Sequence, residues 1–371
     1  MKQRIQNILV LCALLYLFLV CITLMGASFK HLGEDFSKRL ITATASPVVG
    51  LMIGMLTTAV IQSSSTTTSL IVGLVAAGAL TLQGAVPMIM GANIGTTVTN
   101  TMVALTSVNR REEFRRSFAG ATMHDFFNLF SLLLLFPLEM STHFLERSGS
   151  ALADLLVGTG AVEFHSPIKA ITKPVSKWVL HTVEQTGWGE VLVGSVGLAI
   201  ALAGIFTALA FLPRLLKHLL LARAEGAFFQ LLGRGGMVGI LVGAFLTVMV
   251  QSSSITTALL VPMIGAGILP LEGAFAITLG ANVGTTVTGL LASTTGTHDA
   301  VAIALVHFLF NVTGIALIYP FKPVRMIPIH MARKLADLSV RSKLVPFAYL
   351  FSLFFLLPGA VILMQRLLAG N

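Results

Sequence analysis

Long apolar segments separated by short polar ones dominate the hydropathy pattern of the chain. Seven of them reach the roughly 20 residues that a helix needs to cross the hydrocarbon core of a bilayer. Two further apolar stretches, 47–80 and 236–270, are each interrupted near the middle by a hydroxyl-rich cluster, which predicts a broken or re-entrant hairpin of two half-helices. The seven full-length candidates are 7–28, 84–107, 118–140, 191–212, 273–293, 300–319 and 345–366.

Composition supports a membrane protein. Charged residues make up 11% of the 371 positions, and mean hydropathy is +0.90, whereas soluble proteins carry about 25% charged residues. This balance excludes a soluble enzyme, a disordered chain and a fibrous protein. The net charge of +9 does not indicate a nucleic-acid partner, because the basic residues form short blocks between apolar segments rather than one continuous face.

The basic residues predict an orientation in the bilayer. The first apolar segment, about 20 residues from Ile8 to Ala27, is longer than the core of a secretory signal and is expected to be retained. With the N terminus in the cytoplasm, 16 of the 24 Lys and Arg residues fall in the predicted inside segments 1–6, 108–117, 213–235 and 320–344, as the positive-inside rule requires. The basic amphipathic segment 322–343 is expected on the inner leaflet, with a solvated loop as the alternative.

The sequence contains an internal repeat. Residues 62–107 align without a gap with residues 251–296, 189 positions later, and are identical at 23 of 46 positions. An odd number of predicted spans separates the two hairpins, so they enter the bilayer from opposite sides. Inverted repeats with discontinuous helices are typical of secondary transporters. We therefore predict an all-α integral membrane protein with two inverted-topology repeats, each a broken hairpin followed by transmembrane helices.

Six parts follow from this pattern. A transmembrane helix and loop, 1–45, precede the first repeat, 46–140, which an extracytoplasmic loop, 141–190, follows. A linking helix and cytoplasmic loop, 191–235, lead to the second repeat, 236–320. The basic amphipathic segment and a last transmembrane helix occupy 321–371.

Each hairpin carries its polar cluster at the tip, Gln62–Thr68 in the first and Gln251–Thr257 in the second. So many polar side chains at one depth face protein or a wet cavity rather than lipid. Hydroxyl and carbonyl oxygens suit a hard cation such as sodium, and the N terminus of a restarted helix suits an anion. A second repeated motif, Gly91–Thr99 and Gly280–Thr288, supplies glycines for close helix approach together with neutral Asn and Thr side chains.

Packing is the alternative interpretation, since small and hydroxyl residues in membrane helices often serve only helix contacts. Four motifs paired across a repeat favour binding. His124 and His307 also correspond, and are expected to be hydrogen-bonded helix contacts beside Asn128 and Asn311, or to tune a pH response. Asp125 aligns with Phe308 of the second repeat and is therefore not assigned to the symmetric site. The motifs of hydrolases, metalloenzymes and ATP-driven pumps are missing from the sequence, so we expect no enzyme.

The paired Gln-Ser-Ser-Ser clusters, each followed by Gly-Ala-Asn-Ile/Val-Gly-Thr-Thr, resemble the type II sodium-dependent phosphate cotransporters. The stretch 91–128 is similar to the vertebrate members, and the resemblance covers roughly 45–320. It implies symport of inorganic phosphate into the cell by alternating access, with sodium as the coupling ion and no cofactor. Another oxyanion, such as sulfate or arsenate, and an ion channel remain alternatives.

The resemblance also implies a site and a location. Half-helix N termini would hold phosphate, and Gln, Ser and Thr oxygens would hold sodium. The segment 141–190 lacks the cysteines and glycosylation sites of the vertebrate relatives, which fits a multi-pass protein of a bacterial cytoplasmic membrane. The residues implied for phosphate and sodium are Gln62, Ser63, Ser64, Ser65, Thr66, Asn93, Thr96, Thr99, Gln251, Ser252, Ser253, Ser254, Asn282, Thr285 and Thr288.

Overall fold

The computed structural model describes residues 2–33, 38, 41, 42, 44–158, 167–232 and 235–368, in which the regular secondary structure is entirely helical. The predicted all-α fold is therefore confirmed. Within these residues six helices are long and apolar enough to cross a membrane, so the chain is a multi-pass membrane protein. They are Gln6–His31, Arg111–Thr142, Glu190–Leu212, Leu271–Ser293, His298–Ile318 and Leu344–Leu368.

The first half begins with one long helix and continues with the broken hairpin. A 3₁₀ turn, Gly95–Thr97, divides the helix that follows the hairpin. The elements are α1 (Lys2–His31), α2 (Pro47–Ile61), α3 (Ser64–Ala76), α4 (Leu82–Ile94), α5 (Val98–Leu105) and α6 (Arg111–Thr142).

Three linking helices lead to the second half, which repeats the hairpin. A π-helical turn, Ser352–Leu356, interrupts the last span. The elements are α7 (Phe144–Val157), α8 (Pro167–Glu184), α9 (Glu190–Leu232), α10 (Gly236–Val250), α11 (Ser253–Gly265), α12 (Leu271–Ser293), α13 (His298–Ile318), α14 (Lys322–Arg341), α15 (Leu344–Phe351) and α16 (Leu357–Leu368).

The helix bounds of the two hairpins correspond residue by residue. Both ends of α2 recur 189 positions later as the ends of α10, and both ends of α3 recur as those of α11. The helices α4 and α12 also begin at corresponding positions. The interruption that the hydroxyl clusters predicted is thus present at the same place in both hairpins.

Three sequence predictions were wrong in detail. The candidate span 84–107 is not one continuous helix, because the 3₁₀ turn divides it. The predicted loop 213–235 is helical as far as Leu232, since its Leu, Ala, Lys and Arg residues favour a helix although their charges end the apolar run. The predicted loop 141–190 contains α7 and α8, whose mixed polar and apolar sequences are too polar to resemble a span.

Close packing of helices positions the site. In the first half α2 lies against α4, and in the second α10 lies against α12. The helix α1 packs on α9 at the side of the bundle. The basic segment is a helix rather than a loop: α14 lies on α6 and buries Ile329, Ala332 and Ala336.

Candidate substrate and ion site

The tip of each hairpin begins with a glutamine in the left-handed backbone region. The φ and ψ angles are 57° and 28° at Gln62, and 55° and 26° at Gln251. Among the described residues other than glycine, only His143 shares a positive φ. This conformation costs an L-residue about 1–2 kcal/mol, and such strain is concentrated at functional sites. Both glutamines are the C-caps of the first half-helix of their hairpin, so the same backbone turn ends that helix in each repeat.

A serine follows each glutamine and caps the second half-helix. The Ser63 hydroxyl oxygen accepts hydrogen bonds from the Thr66 backbone N–H at 3.2 Å and from the Thr66 hydroxyl at 2.9 Å. The Ser252 hydroxyl oxygen accepts from the Ile255 N–H at 3.3 Å. These two serines act as N-caps. The remaining N–H groups of the first turns of α3 and α11 give each tip a positive dipole end.

Glycines of the second motif let its helix touch the first arm of each hairpin. A Cβ atom at Gly91 would overlap the Leu51 carbonyl oxygen, and one at Gly280 would overlap the Ile240 carbonyl oxygen. The close helix approach expected from the motif is therefore confirmed. Each contact fixes the following part of the motif against a hairpin tip.

The two halves interlock where the motifs meet. The helix α3, with the first cluster, packs against α12 of the second half, and α11, with the second cluster, packs against α5 of the first half. The Thr257 hydroxyl donates a hydrogen bond to Asn100 Oδ1 at 3.0 Å. A Cβ atom at Gly289 would lie 3.0 Å from Thr68 Cγ2. All four repeated motifs thus converge in one region of the bundle.

The predicted site residues differ in exposure. Gln62 is exposed, whereas Gln251 is half-buried and its Oε1 accepts a hydrogen bond from Thr288 at 3.0 Å. The half-buried members are Ser63, Thr99, Gln251, Ser252 and Ser254. The buried members are Ser64, Ser65, Thr66, Asn93, Thr96, Ser253, Asn282, Thr285 and Thr288.

Two buried histidines bond to the asparagine of the other half. His124 Nε2 lies 2.7 Å from Asn282 Oδ1, and His307 Nε2 lies 3.2 Å from Asn93 Oδ1. Because an amide oxygen only accepts, the imidazole N–H is the donor in both bonds. All four side chains are at most 4% exposed. The predicted hydrogen-bonded histidine contacts are confirmed, but the sequence did not indicate that the bonds cross between the halves.

Two further asparagines complete this network. Asn128 Nδ2 donates to the Asn93 carbonyl oxygen at 2.8 Å, and Asn282 Nδ2 donates to Asn128 Oδ1 at 2.9 Å. Asn311 Nδ2 donates to Asn93 Oδ1 at 3.3 Å. We call these six side chains the His–Asn network. It holds Asn93 and Asn282 in fixed orientations at the interface between the halves.

A buried carboxylate lies beside the network, on α6. Asp125 is fully buried, and its Oδ2 accepts a hydrogen bond from the Tyr349 hydroxyl at 2.8 Å. Tyr349 belongs to the last apolar segment, which the sequence identified only as a span. The polar tyrosine within that segment was the one available signal for this contact.

Three side chains near the end of α6 have the composition of a metal site. One ligand atom from each of Glu139, His143 and Glu146 lies within 4.8 Å of the others. The Glu139 carboxylate, however, accepts the backbone N–H groups of Leu145 and Glu146. It therefore serves to cap α7.

A family model described as Na+/Pi-cotransporter matches residues 17–164 and 205–332. The chain belongs to this family. Sodium-dependent phosphate transport protein 2B of Pongo abelii is 32% identical over 97% of this chain and 65% of its own length. Sodium-dependent phosphate transport protein 2A of Rattus norvegicus is 33% identical over 96% of this chain and 67% of its own length. The chain thus spans about two thirds of these relatives. No solved structure matches it.

Proposed function

We propose that this chain is a secondary active transporter that couples entry of inorganic phosphate to sodium by alternating access. Relatives over nearly the whole chain are named sodium-dependent phosphate transport proteins. The observation that carries the proposal is the crosswise packing of α3 and α11, each of which follows a positive-φ glutamine and a capping serine and lies against a helix of the other half. This arrangement places neutral donors, oxygen ligands and two positive dipole ends in one region.

The chemistry of the region suits an anion and a cation bound together. Its predicted site residues are all uncharged, so a bound phosphate finds no side-chain countercharge among them. In a medium of low dielectric constant a nearby sodium ion lowers the energy of that anion strongly. Phosphate and sodium would therefore bind cooperatively, which is the thermodynamic basis of their coupling.

Buried hydroxyls next to the clusters support a polar ligand. Among the described atoms, the Thr68, Ser69 and Thr101 hydroxyls are buried without a hydrogen-bond partner. A buried polar group without a partner is costly, and most such groups in folded proteins are compensated by water or a ligand. These oxygens extend the set of possible ligands beyond the residues identified from the sequence.

The location and orientation complete the proposal. We place the chain in a bacterial cytoplasmic membrane with its N terminus inside, with α4 and α5 together crossing the bilayer as one divided span, and with the two repeats inverted. The excess of Lys and Arg in 1–6, 108–117, 213–235 and 320–344 supports this orientation. Cysteine labelling of exposed positions tests it: Arg111→Cys should react only from the cytoplasmic side. Labelling of this position from outside intact cells would contradict the orientation.

Transport in proteoliposomes tests the function. Labelled phosphate should accumulate against its gradient only when sodium is higher outside, and replacing sodium with potassium should abolish accumulation. Excess unlabelled phosphate should compete, whereas sulfate should not. Accumulation of sulfate without phosphate would assign another oxyanion. Unsaturable flux that ignores the sodium gradient would assign a channel.

Serine variants test the site. Ser64→Ala and Ser253→Ala each remove a buried hydroxyl from the first turn of α3 or α11. Each should reduce uptake by about tenfold or more, the effect of losing one hydrogen bond to a charged ligand. Ser195→Ala, on the exposed surface of α9, is the matched control and should transport normally. Full activity in both cluster variants, with protein folded in the membrane, would mean that the clusters serve packing.

A further inference from the structure

A basic cavity lies away from the converging motifs, at the turn between α11 and α12. Its volume is ≈ 480 Å³, and it lies between the start of α6, this turn and α14. Three arginines line it, Arg115, Arg116 and Arg333, with Asp337 as the one acidic residue of the lining. The cavity contains none of the proposed phosphate and sodium residues. Its charge therefore needs a separate explanation.

The ion pairs around the cavity leave positive charge available. Arg115 lies 3.3 Å from Asp337 and 3.6 Å from Glu112, and Arg333 Nη2 lies 3.7 Å from Glu272, with all of these side chains about half exposed or more. Exposed pairs of this kind are weak, so either guanidinium can turn to another anion. Arg116 has no ion-pair partner among the described residues.

The turn is shaped to hold Arg116 over its backbone. Gly267 has a φ of 76°, and a Cβ atom there would lie 2.9 Å from Arg116 Nη1. Only glycine accepts this φ readily and leaves the space for the guanidinium. The backbone of the turn and the charged end of Arg116 therefore face the same cavity.

A helix N terminus adds donors to the arginines. Pro270 and Leu271, where α12 begins, line the cavity, and Pro270 provides no side-chain cap. The N–H groups of the first turn of α12 and its dipole favour an anion at this end, and the exposed Glu272 of that turn pairs with Arg333 at 3.7 Å in the absence of one. Phosphate groups are bound by this combination of arginine forks and helix N terminus.

The neighbouring helix α14 points to the source of that anion. One side of α14 is buried against α6. On another side Ile327, Met331 and Leu338 form an exposed apolar stripe. A basic helix with an exposed apolar stripe lies in the membrane interface with the stripe among the acyl chains. Arg333 and Asp337 of this helix reach the cavity. A position of α14 in the membrane interface would bring the cavity next to lipid headgroups.

We propose that this cavity binds the phosphate group of an anionic phospholipid through Arg116, Arg333 and the N terminus of α12. The phospholipid would join α6, α12 and α14 at the membrane surface. Free phosphate shares the chemistry of the headgroup and is the other source that the experiment must separate. Binding here is independent of the proposed transport, since it requires neither sodium nor the hairpin tips.

Lipid binding to the purified full chain tests the proposal. The probe is phosphatidylglycerol, with phosphatidylcholine as the zwitterionic reference, and the readout is the amount of each lipid retained in native mass spectrometry. Wild-type protein should retain phosphatidylglycerol selectively. The double variant R116Q/R333Q should lower its apparent affinity by about tenfold or more, as expected for losing two charged donors. An unchanged affinity would overturn the proposal.

The matched control removes the same charge from the same two helices. Arg111 of α6 and Lys334 of α14 are exposed and do not line the cavity. R111Q/K334Q should bind phosphatidylglycerol nearly as wild type does. Equal losses in the two double variants would reduce the effect to general surface charge and would also overturn the proposal.

Two further measurements complete the design. R116K keeps the charge but loses the planar fork, so it should bind with intermediate affinity; this single variant covers the case in which R116Q/R333Q does not fold. Excess inorganic phosphate should fail to displace the lipid, because it lacks the acyl chains beside α14. Displacement by inorganic phosphate, but not by sodium chloride at the same ionic strength, would assign the cavity to free phosphate and reject the lipid. Normal uptake by a variant that has lost the lipid would leave the inference intact.

Discussion

The two hairpins share a sequence motif, helix bounds and strained glutamines, yet their surroundings differ. After the second hairpin α12 is continuous through Gly-Ala-Asn-Val-Gly-Thr-Thr, whereas the same motif in the first half contains the 3₁₀ turn Gly95–Thr97. Nearly identical sequences thus take two helical forms in one molecule. The motif itself therefore does not decide between the forms; the residues that flank it and the tertiary contacts do.

The hydrogen bonds at the two hairpin tips also differ between the halves. In the second half Thr288 bonds to Gln251, and Thr247 bonds to Thr256 at 3.0 Å. In the first half Gln62 is exposed and the buried Thr58 hydroxyl, which corresponds to Thr247, has no partner among the described atoms. One copy is therefore tied to its neighbours and the other is open. Under the proposed mechanism, the two copies would exchange these states during transport.

The largest expected effect concerns the contact that both halves share. Gly91→Ala and Gly280→Ala would each push a Cβ atom into a backbone carbonyl that cannot rotate away. Each should lower the free energy of unfolding by about 3 kcal/mol, at the upper end of overpacking, measured by denaturant unfolding in detergent. Gly359→Ala, a helical glycine with open space around it, should be neutral or stabilising. A loss of stability in only one of the two variants would show that the two glycine contacts are not equivalent.

A smaller effect is expected from the His–Asn network, where the halves make unequal bonds. His124 to Asn282 is the shorter bond, at 2.7 Å, and His307 to Asn93 is longer, at 3.2 Å. Double-mutant cycles with alanine should give a coupling energy of about 1–2 kcal/mol for the first pair and less for the second. Both are measured as differences in unfolding free energy.

Two outcomes of the double-mutant cycles would contradict this prediction. Equal values would mean that the two distances do not reflect a real difference between the halves. A larger coupling for His307 and Asn93 would contradict the expected order of the two bonds. Uptake measured on the same variants would then show whether the network also limits transport.

The sequence predicted the parts of this fold that repeat and missed those that depend on tertiary contacts. Hydroxyl clusters within apolar runs identified both helix breaks, because Ser and Thr side chains can hydrogen-bond the backbone N–H groups that a break in the helix leaves free. The division at Gly95–Thr97 could not be predicted, since the second copy of the motif is continuous. Nor could the Tyr349 contact with Asp125, which joins residues far apart in the chain without any periodic pattern.

The helices outside the repeat were missed for a different reason. Hydropathy identifies what can cross a bilayer but does not separate an amphipathic helix from a loop. The segment 144–184 therefore looked like a loop, although Phe144–Val157 and Pro167–Glu184 are helical. The candidate site was more predictable than these helices because its motifs occur twice in the sequence. Their presence in both repeats favoured binding over packing.

The smallest expected effect separates strain from hydrogen bonding at the two glutamines. Gly accepts a positive φ, so Gln62→Gly should raise the free energy of unfolding by about 1 kcal/mol. Gln251→Gly removes the same strain but also the hydrogen bonds of Gln251 to Val248, at 2.8 Å, and to Thr288. Losing these bonds costs about 1 kcal/mol, so the free energy of unfolding should stay nearly unchanged. Both variants should transport less if the amide oxygens contact sodium. Equal stabilisation at the two positions would mean that the bond between Gln251 and Thr288 contributes nothing, and the contrast between a tied and an open tip would then rest on Thr247 alone.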